Sequence, residues 1–173
     1  MDGGMSMAEQ QTFEPGPDNQ RDFRDALGRF ATGVTIVTTQ TQDGPIAIAA
    51  NSFASLSMEP PLVLWSPAKA SKRFGYFADA QHFAIHVLAA DQAALCSEVA
   101  KDARRFRPGD LAENEKGVPL IDTALAHFEC SREAVHDGGD HVIVVGRVER
   151  VRMRAGEPLL FVGGQYGAFQ ALS

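Results

Sequence analysis

The sequence predicts a single, mainly β domain: an antiparallel barrel, closed or nearly closed, with helical decorations. Three observations lead there. Runs rich in Val, Ile and Thr recur along the chain, as in GVTIVTT at 33–39 and HVIVVGRVERV at 141–151, and such residues suit a pleated, half-buried surface. Many of the 16 glycines fall in pairs or beside Asp next to those runs, giving short turns that suit antiparallel pairing. Strands and helices do not alternate regularly along the chain, which disfavours a doubly wound parallel sheet.

The elements follow in order. Residues 1–18 are polar, end in EPGPD, and read as a disordered tail ahead of a domain spanning 19–173. Asp18 or Asn19 can cap a helix in which Phe23, Ala26, Leu27 and Phe30 recur at three- and four-residue spacing. That apolar stripe is expected to pack on the body, and Gly33 to end the helix. A strand runs on to Thr39, Asp43-Gly44 signals a hairpin turn, and IAIAANSF at 46–53 returns as a strand weakened by its alanines. Glu59-Pro60-Pro61 punctuates the chain before the buried strand LVLWS, which Pro67 breaks. Ser71 to Asp79 reads as a short helix, HFAIHVL at 82–88 as a strand, and Asp91 as the cap of a helix reaching Ala100. A charged loop covers 101–119. The last third is β again, with DGGD at 137–140 turning between two strands.

Composition narrows the function classes. With 173 residues, 45% hydrophobic and 22% charged, the chain has a soluble globular profile and should bury about two-thirds of its unfolded surface. No apolar run approaches the ~18–20 residues that span a bilayer. The start, MDGGMSMAEQ, lacks the basic and apolar parts of a secretory signal. Cys96 and Cys130 can form neither a disulfide framework nor a CxxC clip, so the expectation is a cytoplasmic protein with reduced thiols. The net charge of −6 argues against nucleic acid as a partner. Asp2, Glu9, Glu14 and Asp18 place four of those six charges in the tail, so the domain itself is nearly balanced.

Motifs act first by subtraction. There is no GxGxxG between strand and helix, no GxxxxGK[ST] and no GxSxG. His82 and His86 would share a face, but in a strand they stand ~13 Å apart, too far for one metal, and no metal site is expected. AANSFASLSMEPP is the most unusual stretch, because Asn51, Ser52, Ser55 and Ser57 crowd four short polar groups between apolar strands. They suit either a turn that satisfies its own amides or a loop that hydrogen-bonds a flat heteroaromatic ring. Just beyond, Ser66 to Arg73 holds two hydroxyls and the cations Lys69, Lys72 and Arg73 ahead of a helix. This suits a phosphate or, equally, a solvated basic turn.

Six segments together carry a specific resemblance: FRDALGRFATGVTIVTT at 23–39, AANSFASLSMEPPLVLW at 49–65, FAIHVLAADQAALC at 83–96, GVPLIDTALAHFEC at 117–130, GDHVIVVGRVERV at 139–151 and PLLFVGGQYGAF at 158–169. In this order, covering nearly all of 20–169, they resemble the flavin reductase-like family, the small NAD(P)H:flavin oxidoreductase components of two-component flavin-dependent monooxygenases. The resemblance implies an FMN-binding split β-barrel, a homodimer with flavin near its interface, oxidation of NADH or NADPH, reduction of FMN or FAD, and supply of reduced flavin to a partner oxygenase. The alternative within the same resemblance is a protein that holds FMN tightly as an electron carrier or for another redox reaction. By similarity the ring-binding loop falls on Asn51, Ser52, Ser55 and Ser57, and the phosphate and ribityl contacts on Ser66, Ser71, Lys72 and Arg73. Asp140, His141 and Tyr166 line the nicotinamide side, His141 positioning the nicotinamide, and Arg105 and Phe106 cover the pocket from the long loop. Ala49 stands where relatives often carry Thr. No acid or base is required by this chemistry, since the cofactors carry the hydride and the protein supplies geometry.

Overall fold

The computed structural model describes residues 10–172, so the first part of the tail expected at 1–18 lies outside the described residues. Residues 10–16 form no helix or strand, and a short 3-10 helix at Pro17–Asn19 precedes α1 (Gln20–Leu27). The strands are β1 (Thr32–Gly33), β2 (Thr35–Thr41), β3 (Gly44–Ala50), β4 (Ala54–Ser57), β5 (Leu62–Trp65), β6 (His82–Val87), β7 (Ala112–Glu113), β8 (Pro119–Leu120), β9 (Ala126–Gly138), β10 (His141–Met153), β11 (Leu159–Val162) and β12 (Gln165–Ala168). Two further helices, α2 (Phe74–Ala78) and α3 (Ala93–Lys101), are inserted between strands. No helix among the described residues is long and apolar enough to cross a membrane.

A seven-stranded antiparallel sheet in the order β3-β2-β6-β9-β10-β5-β4 forms the body. Its two edge strands are consecutive in sequence and are joined only by residues 51–53. A sheet whose edges lie that close in the chain must curl, and its concave face wraps one apolar cluster to which Val37, Val63, Trp65, Phe83, Ile85, Cys130 and Val144 contribute from five strands or more. The barrel is nearly closed and split between β3 and the β4–β5 hairpin, as the family resemblance implies. A second cluster, with Val34, Ile36, Leu88, Val99 and Leu159, lies outside the sheet under α3 and β11. Alternate residues of β2 therefore enter different cores (Ile36 the outer, Val37 the inner), which explains why its sequence is apolar almost throughout.

The turn chemistry is as expected. Asp43-Gly44 closes the β2–β3 hairpin, with Thr41 opposite Gly44 and a φ of 103° that only glycine adopts easily. DGGD closes β9 on β10, with Gly139 at φ 76°.

Several local expectations need correction. Helix α1 ends at Leu27 with Gly28 as its cap, not at Gly33, which belongs to β1. Its apolar stripe does not pack on the body: Phe30 is 78% exposed and no α1 residue is buried. The C-terminal end of the helix is tethered to the body, where Gly163 N–H donates to the Gly28 carbonyl at 2.8 Å. Asn19 sits at the cap but turns its Oδ1 outward to accept the Gly16 N–H at 2.7 Å. Asp91 does not cap α3 either, because a 3-10 turn at Ala90–Gln92 intervenes and the Gln92 amide accepts the Ala89 N–H at 2.8 Å.

His86 is a core residue. It is fully buried on β6, its Nδ1 3.0 Å from the Ile36 carbonyl and its ring edge-on to His127 at 5.7 Å. Nδ1–H donates to Ile36, and burial pushes the pKa down to about 3. The unfolded chain takes up this proton near ~6.5 while the folded chain refuses it, so stability is complete above that pH and falls as acid is added. The slope is up to about 1.4 kcal/mol per pH unit between the two values. Burial lowers the His127 pKa too, adding in the same direction. Urea unfolding at pH 7.5 and 5.5 checks this: wild type should lose stability, and His86→Gln should lose about 1 kcal/mol less over the same interval. An equal pH slope in both proteins would refute the assignment.

Candidate functional site

The site is built where the sheet fails to close. Ser52, just past β3, accepts the Ser66 N–H at 2.9 Å and donates to the Ser66 carbonyl at 3.3 Å. This hydroxyl extends the β4–β5 pairing by one step and holds the chain after β5 against the chain after β3. Between them lies a cavity of about 300 Å³ whose wall includes Ala49, Asn51, Ser52, Ser66, Ala68 and His141, with Trp65 beneath. Short side chains predominate, so a flat ring can enter.

The edge of β3 supplies polar groups without side chains. The Ala47 N–H donates outward to the Ala103 carbonyl at 2.9 Å, and the Ala47 carbonyl accepts from Arg73. The Ala50 carbonyl instead faces inward, toward Thr35. By antiparallel alternation the N–H and C=O of Ala49 and the N–H of Asn51 face outward like those of Ala47, into the cavity.

Ile48, Ala49 and Ser71 are shared with an adjoining cavity of about 380 Å³ that Lys72 and Arg73 complete. The Arg73 guanidinium donates to the carbonyls of Ala47 at 3.3 Å and Ala100 at 2.9 Å. Neutral partners hold its orientation without cancelling its charge. Partial burial draws its pKa down and Asp102 opposes that shift. The Ser71 hydroxyl accepts the Arg73 N–H at 3.2 Å. Lys69 is not part of this cluster, since its ammonium is tied to Asp137 and to the Gly139 carbonyl in the β9–β10 turn.

That turn delivers His141. Val142 N–H donates to the Pro67 carbonyl and Lys69 N–H to the Asp140 carbonyl, stitching the turn to the segment after β5. His141 Nδ1 lies 2.8 Å from the Asp140 carboxylate, and this hydrogen bond holds the carboxyl below its usual range. Nε2 is left for a ligand. On the other side a pocket of about 170 Å³ joins Ala49 and Asn51 to Cys96, Phe161 and Tyr166. Tyr166 packs on Phe161 at 5.5 Å and donates its hydroxyl to Cys96 Sγ at 3.3 Å. That bond raises the Tyr166 pKa, and burial raises that of Cys96, so this wall stays neutral.

Asn51, Ser52, Ser66, Ser71, Lys72, Arg73, His141 and Tyr166 thus meet on one connected groove, with Asp140 at its rim. The other expected residues do not. Ser55 and Ser57 are in strand β4, opposite Val63 and Leu62, and line none of these cavities. Phe106 is buried in the outer core with Val34 and Ile36, because an aromatic side chain in a charged loop anchors that loop. Arg105 pairs with Glu98 at 2.6 Å. Ala49, which stands where relatives often carry Thr, lines all three cavities; Cys96 joins the groove with no signal in the sequence, since a lone Cys offers none.

A family model described as flavin reductase like domain matches residues 27–170. The chain is 53% identical over 165 residues to "FMN reductase (NADH) SmoA" of Agrobacterium fabrum, covering 95% of each. It is 44% identical over 148 residues to "Flavin-dependent monooxygenase, reductase subunit HsaB" of Rhodococcus jostii, covering 84% of this chain and 76% of the relative. Among solved structures, the NADH:FAD oxidoreductase SgcE6 of Streptomyces globisporus superposes with a TM-score of 0.85 at 34% identity, covering 96% of each chain.

Proposed function

The chain belongs to the flavin reductase-like domain family, and from that premise we propose that it is an NADH-dependent flavin reductase that releases reduced flavin to a partner monooxygenase. The observation that carries this reading is the continuity of the groove, a ring-sized slot at the split of the barrel that runs directly into Ser71, Lys72 and Arg73.

The residues present fit a flavin. The Asn51 amide and the outward backbone groups of Ala49 and Asn51 match a heteroaromatic edge that both donates and accepts. Lys72 and Arg73 match a phosphate. When bound, FMN or FAD supplies a ring that accepts a hydride from reduced nicotinamide. The protein's part is placement. Ala49 leaves room for the ring, Ser52 fixes the width of the slot through Ser66, and Trp65 keeps water from its floor. Arg73, oriented by two carbonyls, holds the phosphate end. His141, steadied by Asp140, offers Nε2 to the nicotinamide side, and Tyr166 with Phe161 closes the flank.

We further propose a homodimer. Phe23, Leu27 and Phe30 on and after α1, with Met153 at the end of β10, are 42%, 60%, 78% and 82% exposed in the single chain. A second copy of the chain would cover apolar surface of this kind. A reducing cytoplasm suits the two free buried cysteines.

The test is steady-state oxidation of NADH with added FMN, FAD and riboflavin, together with a separate acceptor for reduced flavin. Saturation by free flavin and reduction of the acceptor are expected. A yellow flavin that copurifies and does not exchange would overturn release in favour of a tightly held cofactor. His141→Ala should raise the NADH KM about tenfold, the equivalent of about one hydrogen bond to a ligand, and change the flavin KM less than about twofold. Equal changes in both constants would count against the role given to His141.

A further inference from the structure

We propose that Lys69 is a positioning residue for His141: it clamps the β9–β10 turn onto the wall of the slot and so aims the imidazole at the nicotinamide. This rests on the role given to His141. Residues 137–140 read Asp-Gly-Gly-Asp, and two adjacent glycines leave a turn with many accessible backbone states. Residues 135–140 are all exposed, so no packed core holds the tip of this hairpin. Among the hydrogen bonds of the described residues, those that tie the tip to the rest of the chain run to residues 67–69. Ala68 forms a β-bridge with His141, Val142 N–H donates to the Pro67 carbonyl at 3.2 Å, and Lys69 N–H donates to the Asp140 carbonyl at 2.9 Å. Pro67 and Ala68 are themselves in the wall of the slot. This backbone pairing leaves the outer half of the turn free, and the Lys69 side chain reaches over it. Its ammonium donates to the Asp137 carboxylate and, at 2.6 Å, to the Gly139 carbonyl.

The clamp also sorts the two carboxylates of the turn. Asp137 and Asp140 flank the glycines, and either carboxylate is an acceptor suited to the Nδ1–H of His141. Lys69 takes Asp137, whose carboxyl its hydrogen bond holds below the usual range. Asp140 is left to His141, whose Nδ1 lies 2.8 Å from that carboxylate. The imidazole then carries its proton on Nδ1 and presents Nε2 as an acceptor. The Lys69 and Asp137 side chains are 38% and 78% exposed, and exposed ion pairs contribute little to stability. The effect of this one therefore falls on the orientation of the turn rather than on the stability of the fold.

The test is a double-mutant cycle of Lys69→Met with His141→Ala, read by the NADH and flavin KM. Lys69→Met keeps the length of the side chain and removes its donors. Alone it should raise the NADH KM about fivefold and change the flavin KM less than about twofold, with a melting temperature within about 3 °C of wild type. In the His141→Ala background it should change the NADH KM less than about twofold, because no imidazole remains to be aimed. Lys69→Arg, which restores donors, should return the NADH KM to within about twofold of wild type. A second readout needs no turnover. Side-chain nitrogen NMR of His141, assigned by comparison with His141→Ala, should show the Nδ1–H tautomer in wild type and a shift toward mixed tautomers in Lys69→Met. Unchanged nitrogen shifts, a NADH KM that responds to His141→Ala but not to Lys69→Met, or a rise that is the same with and without His141 would overturn the clamp. Nitrogen shifts that move while His141→Ala leaves the NADH KM unaltered would refute the nicotinamide role of His141 alone.

Discussion

Ala49→Phe should abolish NADH oxidation with added FMN while the protein stays folded. Ala49 is in the wall of the slot at the split of the barrel, of the adjoining cavity that Lys72 and Arg73 complete, and of the Tyr166 pocket. It lies on edge strand β3, opposite Ile36, and is only partly buried. A phenyl ring there would fill space the flavin needs, with the open cavities beside Ala49 giving it room away from the outer core that Ala49 borders. The flavin KM should rise by about a hundredfold or more, corresponding to about 2.7 kcal/mol of lost binding. Circular dichroism and the melting temperature should remain close to wild type. Ala49→Thr is the control, because it adds one hydroxyl to the same wall and should keep the activity. A normal flavin KM in Ala49→Phe would place the ring elsewhere on the molecule.

Trp65→Ala should be the most destabilising single change at the site. Trp65 is fully buried at the end of β5 and meets Phe77 edge-on, with centroids 5.4 Å apart and planes at 89°. Phe83 packs on it at 6.2 Å. Its removal opens a cavity between strand β5, helix α2 and strand β6, and large-to-small changes of this kind cost about 3–5 kcal/mol. For a domain of this size the melting temperature should fall by about 10 °C. Trp65→Phe should cost much less, since the indole N–H has no hydrogen-bond partner to lose. Trp65 also floors the ring slot, so the Ala variant should bind FMN more weakly at temperatures where it is folded. A loss below about 1 kcal/mol would mean that the inner core tolerates this void.

Much of the site was legible as sequence because its signals are local. Ser71, Lys72 and Arg73 are neighbours in the chain, so any fold that exposes the segment presents them together. His141 is brought in by a DGGD turn that needs Gly139 at positive φ, which residue types alone announce. Ser52 does not serve the amides of its own turn: its hydroxyl bonds the backbone of Ser66, fourteen residues along the chain, and it borders the slot.

What remained illegible depends on register and on distant partners. Asn51, Ser52, Ser55 and Ser57 look alike in a string, but β4 begins at Ala54, and pairing with β5 carries Ser55 and Ser57 away from the groove. Shifting a strand by one residue reverses its faces, and nothing within seven residues specifies that shift. Phe106 and Arg105 are adjacent, yet one enters the outer core and the other pairs with Glu98. Lys69 resembles Lys72 in sequence, but Asp137, far along the chain, claims it.

The sequence by itself determined the β class, the antiparallel hairpins, the family and the basic cluster Ser71, Lys72 and Arg73 at one end of the groove, because turn chemistry, strand propensity and a contiguous charge cluster act over a few residues. Only the tertiary structure decided which polar groups face the slot, which cations stay free and that the stripe of α1 is left bare. Each of these depends on contacts between segments that the chain keeps far apart.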